Sequence, residues 1–580
     1  MKLTPTREAI VQFVRGEFTR RQQERRRFEG QWRLNMAFVA GRQYADLNAR
    51  GAIETLPKEF VWQEREVFNH LAPILESRLS KLGRVRPKMA VLPAGADDSD
   101  LYNARTATAI LDAAAHRLRL SEVISAATHW SEVCGTAFYK LAWEEDDVAV
   151  VAVPPFEVYP DRTEATDVEG CRSLLHARSY TPAEIRDRWG ASVAGENGDG
   201  TAVVLEYYEM PSKTYENGRY ILVAGDILVT CGDLPCRIGA DGAYALPYAR
   251  QVAVAVPGCF WGVSVIERAI PVQRAYNAVK NRKHELLNRL AEGVLAVEEG
   301  SVDLENLREE GLEPGKVLVY RQGSSLPRFL DGGHVPGDFT LEEDRLMNEF
   351  IYLSGVSELM RHSSVPANMT SGVALQLLIE QDDTRISITA ESIRSAIRVC
   401  AQGLLRLYKQ FASVGRVARV VGENGAVELV YWKKSNITCD DVSFVSENEL
   451  SDTPAQKRAF VMDLLRAGLL ADENGKLSNR MRAKVLDLLG FGMWENGQDL
   501  EALQIKAAVA ENMELQADGT QPVVRGIDDH DVHVAEHVKC MLGGEFVNAC
   551  KNTPKIAQIM EEHIKEHKAW TMNSQSATTV

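Results

Sequence analysis

The sequence lacks the marks of several chemistries. Its nine cysteines, at 134, 171, 231, 236, 259, 400, 439, 540 and 550, are odd in number and form no CxxC pair. Neither a disulfide framework nor a zinc ribbon is therefore expected, and reduced, mostly buried thiols are. No apolar run suits a bilayer. The uncharged stretch from Gln251 to Ile266 falls short of the ~20 residues a spanning helix needs, and Pro257 and Gly258 interrupt it. The leading Met-Lys-Leu-Thr-Pro-Thr-Arg-Glu shows no apolar signal core, and the expectation is a soluble intracellular product. No GxSxG elbow occurs, and no carboxylate pair stands out as an acid and base. Positive charge is also short: 66 Lys and Arg against 81 Asp and Glu leave −15. A protein that wraps nucleic acid is usually basic, because each neutralised phosphate releases counterions. The balance argues against a conventional DNA-gripping domain, but not against a protein that lets DNA pass without holding it.

What is present reads as folded protein. At roughly 150 residues per domain, the 580 residues make three to four domains. Apolar residues at 45% and charged residues at 25% are ordinary, which excludes a disordered or collagen-like chain. Residues 6–40 read as a helix anchored by Phe13, Phe28, Trp32 and Phe38. Seven Arg against three Glu between Arg15 and Arg33 give it a basic face, either a phosphate or partner surface or a solvated one. Residues 66–90 and 101–132 also look helical. The period then changes to β at Thr136–Trp143 and Asp147–Val153, a hairpin closed by Pro154 to Asp161. Thr181-Pro182-Ala183-Glu184 opens a short helix with a capping box. Strands return at 203–209, 219–223 and 227–230, with a turn across Gly225-Asp226.

A second capping box, Ser264 to Glu267, opens a helix running to about Glu292 and bent near Pro271. A Gly-rich insertion follows, strand-like at 294–297 and 316–320, and a helix returns over 338–353. After an irregular stretch comes the longest periodic segment, Ser371 to Phe411. Ile386, Ala390, Ile393, Ile397, Ala401, Leu404, Tyr408 and Phe411 step by three or four. At 1.5 Å per residue it spans roughly 60 Å. A last β segment covers 417–445, helix returns over 451–515, and the final ten residues are polar.

The motifs that tempt an enzymatic reading are weak. Gly311 to Gly315 before Lys316 and Val317 has three residues between the glycines where a phosphate loop has four, and Val317 brings no hydroxyl. Gly543-Gly544-Glu545-Phe546 resembles a cyclic-dinucleotide synthase signature, but no α/β domain surrounds it. His533-Val-Ala-Glu536-His537 and His563-Ile-Lys-Glu566-His567 both spell HxxEH. On a helix the two histidines share a face, which suits zinc, with Glu as a base. The competing reading is a solvated His/Glu/Lys helix packing through ring edges. No metal ligand, catalytic residue or cofactor is assigned, and the protein is not read as an enzyme.

The order of the parts resembles the portal proteins, or head-to-tail connectors, of tailed double-stranded DNA bacteriophages. The resemblance is carried by Phe38-Val39-Ala40-Gly41-Arg42-Gln43-Tyr44, Asn69 with Pro73, Gly135 to Trp143, and Val158-Tyr159-Pro160-Asp161. Ile351 to Ser357, Thr370-Ser371-Gly372-Val373-Ala374-Leu375-Gln376 and the His/Glu-rich tail from Asp528 to His567 complete it.

It implies an α+β, mainly helical subunit that assembles into a ring, typically of twelve copies, around a central channel at one capsid vertex. Residues 1–263 would be wing, 264–293 the first stem helix, 294–335 the clip and 336–354 the second stem helix. Residues 355–446 would return to the wing with a tunnel loop and long helix, 447–515 would be crown, and 516–580 a helical tail. Arg361, His362, Ser363, Ser364 and Asn368 would face DNA from the tunnel loop. Lys280, Arg282, Lys283 and Arg289 would face it from the stem as weak phosphate steps in a mostly acidic lumen, or else salt-bridge neighbouring stems. Asp303, Glu305, Arg308, Glu309 and Arg321 would dock the terminase large subunit and later the tail adaptor. The other implied partners are the passing DNA, further copies of the chain, and the major capsid and scaffolding proteins, with no membrane. The implied location is the virion, after assembly in the host bacterial cytoplasm. The alternatives are a virion adaptor or scaffold without a channel, a zinc metallopeptidase working through the HxxEH motifs, and a nucleotide-dependent motor.

Overall fold

The computed structural model describes residues 6–58, 60, 63–95, 98–195, 198, 200–292, 294–305, 307, 317–330, 336–355, 372–421, 427–444, 461–466, 485, 504–505, 507–512, 515, 521–542, 546 and 555–577. Helices and antiparallel sheets combine in one α+β chain. The first helix, α1 (Arg7–Val39), starts where Thr6 Oγ1 accepts from the Ala9 amide. Its basic face is not simply solvated. Arg21 and Arg25 are buried and donate to backbone carbonyls of Tyr159, Pro155 and Val158. Arg20 and Arg33 pair with Glu17, Glu24 and Glu29 of the same helix.

A small hairpin, β1 (Ala45–Leu47) and β2 (Ile53–Thr55), leads to α2 (Leu71–Leu82) and β3 (Met89–Val91). The helix expected over 66–90 is thus shorter at both ends. Residues 64–70 are extended because their amides are engaged by another helix, described below. The helix expected over 101–132 is two, α3 (Asp98–Arg117) and α4 (Leu120–Cys134), broken at Arg119, which takes φ 48°.

The expected hairpin is present as β4 (Thr136–Glu144) and β5 (Asp147–Val153). Next come β6 (Val158–Pro160), β7 (Ser173–Tyr180), β8 (Ala202–Glu209), β9 (Arg219–Ala224) and β10 (Ile227–Gly232), an antiparallel sheet in the order β10-β9-β8-β7-β6. Within it, α5 (Pro182–Trp189) carries the capping box of Thr181 and Glu184. The strand β11 (Tyr248–Val252) pairs the free edge of β4. Strands β6, β7 and β11 escape the period-2 pattern because most of their residues are buried on both faces.

The later half carries α6 (Val265–Glu292), β12 (Val294–Ala296), β13 (Arg328–Leu330), α7 (Asp338–Ser354) and α8 (Gly372–Phe411). Strand β12 pairs β13, and of the stretch expected to be strand-like at 316–320, residues 317–320 are in no strand. The β segment after α8 is a hairpin, β14 (Arg416–Val421) and β15 (Val427–Trp432), and a strand, β16 (Val442–Phe444), that reaches back to β3. Two C-terminal helices follow, α9 (His530–Met541) and α10 (Lys555–Ala577). Of the helix expected over 451–515, the helical residues described include 461–466 and 507–512. All eight described cysteines are free thiols.

The two largest apolar cores among the described residues hold the body together. In one, α8 lies across the β11-β4-β5 sheet through Ile386, Ala390, Ile393, Ile397, Ala401, Leu404 and Tyr408, all buried as their spacing predicts. Phe411 stacks on Trp143 at 5.2 Å. In the other, Phe28 and Trp32 of α1 meet Phe138, Phe260 and Trp261, with Trp32 and Trp261 edge to face at 4.8 Å.

Candidate functional site

The segment that the resemblance makes a stem is an antiparallel pair, α6 and α7. Tyr276 meets Phe350 near the base, and Lys280 and Lys283 meet Glu343 further along. Its foundation is a polar ladder. Gln273, Asn277, Asn281 and Glu285 recur every fourth residue on α6 and are all buried. Their side-chain oxygens accept the backbone N–H groups of His70, Phe68, Glu66 and Glu64 at 3.0–3.2 Å. The match is geometric: four residues of helix rise about 6 Å, close to the roughly 6.7 Å of two extended residues. The helix thus does for residues 64–70 what a neighbouring strand would do, and this keeps them out of α2. Asn277 and Asn281 also donate to Gln43 Oε1 and the Tyr44 hydroxyl. Asn69 donates to the Val39 carbonyl and accepts from the amides of Leu71 and Ala72 at the start of α2. The sequence carries this signal as Gln-x3-Asn-x3-Asn-x3-Glu, polar residues at core spacing, which the motif search missed.

Three of the four cations singled out on α6 are described with their side chains, and all three are in ion pairs. Lys280 and Lys283 both reach Glu343 of α7, at 3.2 and 3.1 Å, and Arg282 reaches Glu285 at 3.2 Å. Arg289 lies on α6, and its side chain falls outside the described residues. Burial pushes the Glu343 carboxyl up, but hydrogen bonds from Lys283 and Lys280 outweigh it and hold it below the ordinary 4.5. A depressed folded value stabilises above the unfolded one and is lost as pH falls through the folded one. Glu343→Gln is therefore expected to cost about 1 kcal/mol at neutral pH. The gap to the parent chain should close below the ordinary carboxylate value of 4.5. Urea midpoints at neutral and acid pH check this, and a gap that widens on acidification contradicts it.

Where α7 ends, Arg78 of α2 forms a buried junction. It donates to both oxygens of Glu132 on α4 at 2.6 and 3.2 Å, and to the Ser354 carbonyl at 2.7 Å. It also lies 3.5 Å from Thr389 Oγ1 of α8. The C-terminal end of α7 is thus tied to α2, α4 and α8.

The insertion between the two helices places Asp303, Glu305 and Arg321 on its surface. Asp303 Oδ1 accepts from the Glu305 amide at 3.1 Å, and the Arg321 amide donates to the Ser301 carbonyl at 2.8 Å. Around them Val317, Val319, Leu326, Phe329 and Leu330 are more than half exposed. Arg308 and Glu309 lie outside the described residues, as do Arg361, His362, Ser363, Ser364 and Asn368.

No described cluster in the body reads as an acid–base centre. Its most perturbed carboxylate is Glu206. Burial pushes it up, but the His176 hydrogen bond and the Lys140 ammonium at 2.6 Å hold it far below the usual range. Tyr208 donates to it as well. A carboxylate so fully engaged is a structural ion pair.

The tail histidines depart from the solvated helix expected for them. His533, His537, His563 and His567 are fully buried. Burial, and after it the neighbouring histidines His563 and His567, push His537 down to about 3. Burial and the nearby His563, His533 and His530 push His567 to about 4. Both rings are neutral at physiological pH.

No helix among the described residues is long and apolar enough to cross a membrane. No curated protein matches the chain. Residues 201–455 match the family model of the phage P22-like portal protein. That span runs from β8 through β16 and takes in the α6–α7 pair, its insertion and the long helix α8. Over this span, somewhat under half of its length, and in its α+β architecture, the chain is similar to the phage portal protein family.

Proposed function

We propose that this protein forms a closed ring at one capsid vertex, of twelve copies as the resemblance implies, and that its hole is the passage for DNA during packaging and ejection. In this reading α6 and α7 are the stem, the insertion between them is the clip, and residues 355–370 are the tunnel loop. The clip docks the terminase large subunit and then the tail adaptor. The role is structural, within the virion.

The observation that carries the reading is the apolar surface of the clip and stem. Phe329 and Leu330 of β13, Leu326 before it, and Leu341 and Tyr352 of α7 are each more than half exposed. A monomer in water does not keep so much apolar surface on one slender extension, and two helices with a two-stranded hairpin have little core of their own. Neighbouring copies offer the covering surface, and a closed ring satisfies every copy equally. The pairing of Lys280 and Lys283 with Glu343 fits a passage that does not grip. Cations already neutralised within the chain hold phosphate weakly, which suits DNA that must slide.

Electron microscopy of the purified protein, alone and co-expressed with its scaffolding protein, tests the reading. Annular particles with a central hole are expected. Particles that stay monomeric at high concentration with the scaffold present would overturn it.

A further inference from the structure

The C-terminal helices bring together a set of donors that the portal role leaves without a task. Glu511, His533, His537 and His567 each offer a ligand atom, and these atoms lie within 4.8 Å of one another. Glu511 Oε2 stands 3.1 Å from His533 Nδ1, 3.6 Å from His537 Nε2 and 3.6 Å from His563 Nε2. His567 Nε2 is 3.3 Å from His563 Nε2. A tetrahedral Zn²⁺ with bonds of 2.0–2.1 Å sets neighbouring ligand atoms about 3.3 Å apart. The Glu511–His533 and Glu511–His537 separations lie close to that value, and the whole set draws within 4.8 Å, near enough to close on one small cation.

The outer contacts point the same way. His533 Nε2 faces Gln504 Oε1 at 2.9 Å, and His537 Nδ1 faces Asn512 Oδ1 at 2.7 Å. An amide oxygen only accepts, so each ring carries its proton on the outer nitrogen and turns a lone pair inward. His567 Nδ1 meets His530 Nδ1 at 2.9 Å, which leaves its Nε2 facing inward as well. This is the outer shell that orients metal-bound imidazoles. Without a cation the inward lone pairs face a carboxylate that cannot donate. His537 Nε2, which faces the cluster, has no hydrogen-bond partner among the described residues, an expensive state for a buried polar atom.

We propose that Glu511, His533, His537 and His567 form a structural Zn²⁺ site, with His563 packed beside it, that clamps α9 and α10 to the helical residues at 507–512. Three features make it structural. The protein supplies a full ligand set, and the four imidazoles of this cluster are sealed from solvent. The glutamates of the two HxxEH motifs are occupied elsewhere, Glu536 with Lys539 at 3.2 Å and Glu566 with Gln521 at 3.2 Å, so neither acts as a base on a bound water. The apolar core beside the site is small, built on Leu515, Cys540, Phe546, Ile556, Met560 and Ile564. A core of that size gains most from a metal staple.

The test uses the full-length protein, loaded with Zn²⁺ and dialysed, with metal measured by mass spectrometry. About one ion per chain is expected. His537→Gln and His567→Gln should each lower retention about tenfold or more, while His116→Gln, on the exposed face of α3, leaves it unchanged. Because a variant can fail to fold, the parent chain is also titrated with Co²⁺, which should give the intense visible bands of a tetrahedral site. Hydrogen exchange after chelation should rise in α9 and α10 and not in the β4–β5 hairpin. The proposal is overturned by a parent chain that retains no zinc, by retention undiminished in both variants, or by octahedral Co²⁺ spectra. None of these readouts depends on ring formation.

Discussion

Arg78→Ala is expected to lower the free energy of unfolding by about 3–5 kcal/mol. The guanidinium joins α2 to α4, α7 and α8 through Glu132, Ser354 and Thr389. The side chains of Arg78 and Glu132 are 5% and 1% exposed, so water does not replace the lost partner. Truncation strands a buried carboxylate and a buried carbonyl, and the cost of that unpaired charge exceeds the net worth of the intact pair. Adding Glu132→Gln to Arg78→Ala removes the stranded charge and should restore part of the loss. Urea-denaturation midpoints of the parent, the single variant and the double variant measure both effects. A single-variant loss below about 1 kcal/mol would mean that solvent reaches the junction. If the ring reading holds, Arg78→Ala should also impair packaging, because Ser354 is the last residue before the loop assigned to the channel.

The second large effect is expected at Gly135, the turn between α4 and β4. Its φ of 85° lies in the left-handed region, which costs other residues about 1–2 kcal/mol. Space is the greater constraint. A Cβ there would stand 2.2 Å from the Gly262 carbonyl oxygen, and one on Gly262 would stand 2.4 Å from that of Gly135. The two backbones, far apart in sequence, touch because neither carries a side chain. Gly135→Ala must push apart the start of β4 and the start of α6, and a loss above about 4 kcal/mol is expected. Gly190→Ala is the control: its φ is 68°, with nothing within 4 Å of an added Cβ. It should lose only the conformational part. Equal losses for the two variants, measured by urea denaturation, would refute the close-approach account.

These sites show where local pattern and tertiary structure part company. Apolar spacing was enough for α8, because a helix lying across a sheet buries one stripe and the stripe has the helix period. Alternation was enough for the β4–β5 hairpin, and Thr181 with Glu184 for the start of α5, since both are local devices. The extended run at 64–70 was not legible. Its conformation is set by oxygens on α6, more than two hundred residues away. For the same reason Arg21 and Arg25 looked like a basic surface. Only the sheet that closes over α1 turns them inward to carbonyls.

The HxxEH spacing put each pair of imidazoles on one helix face, and composition argued against a conventional DNA-gripping domain. The family resemblance likewise came from the order of elements along the chain. Those readings follow from the chain alone, because they depend on periods and counts. Which partners those groups meet was decided by the fold. Packing α9 against α10 is what brings two such faces together and buries them, and packing α6 against α7 is what gives Lys280 and Lys283 a shared carboxylate. Burial and the approach of distant segments are properties of the closed chain, and they convert residue types that would be solvated on an isolated helix into a sealed cluster and a neutralised helix pair.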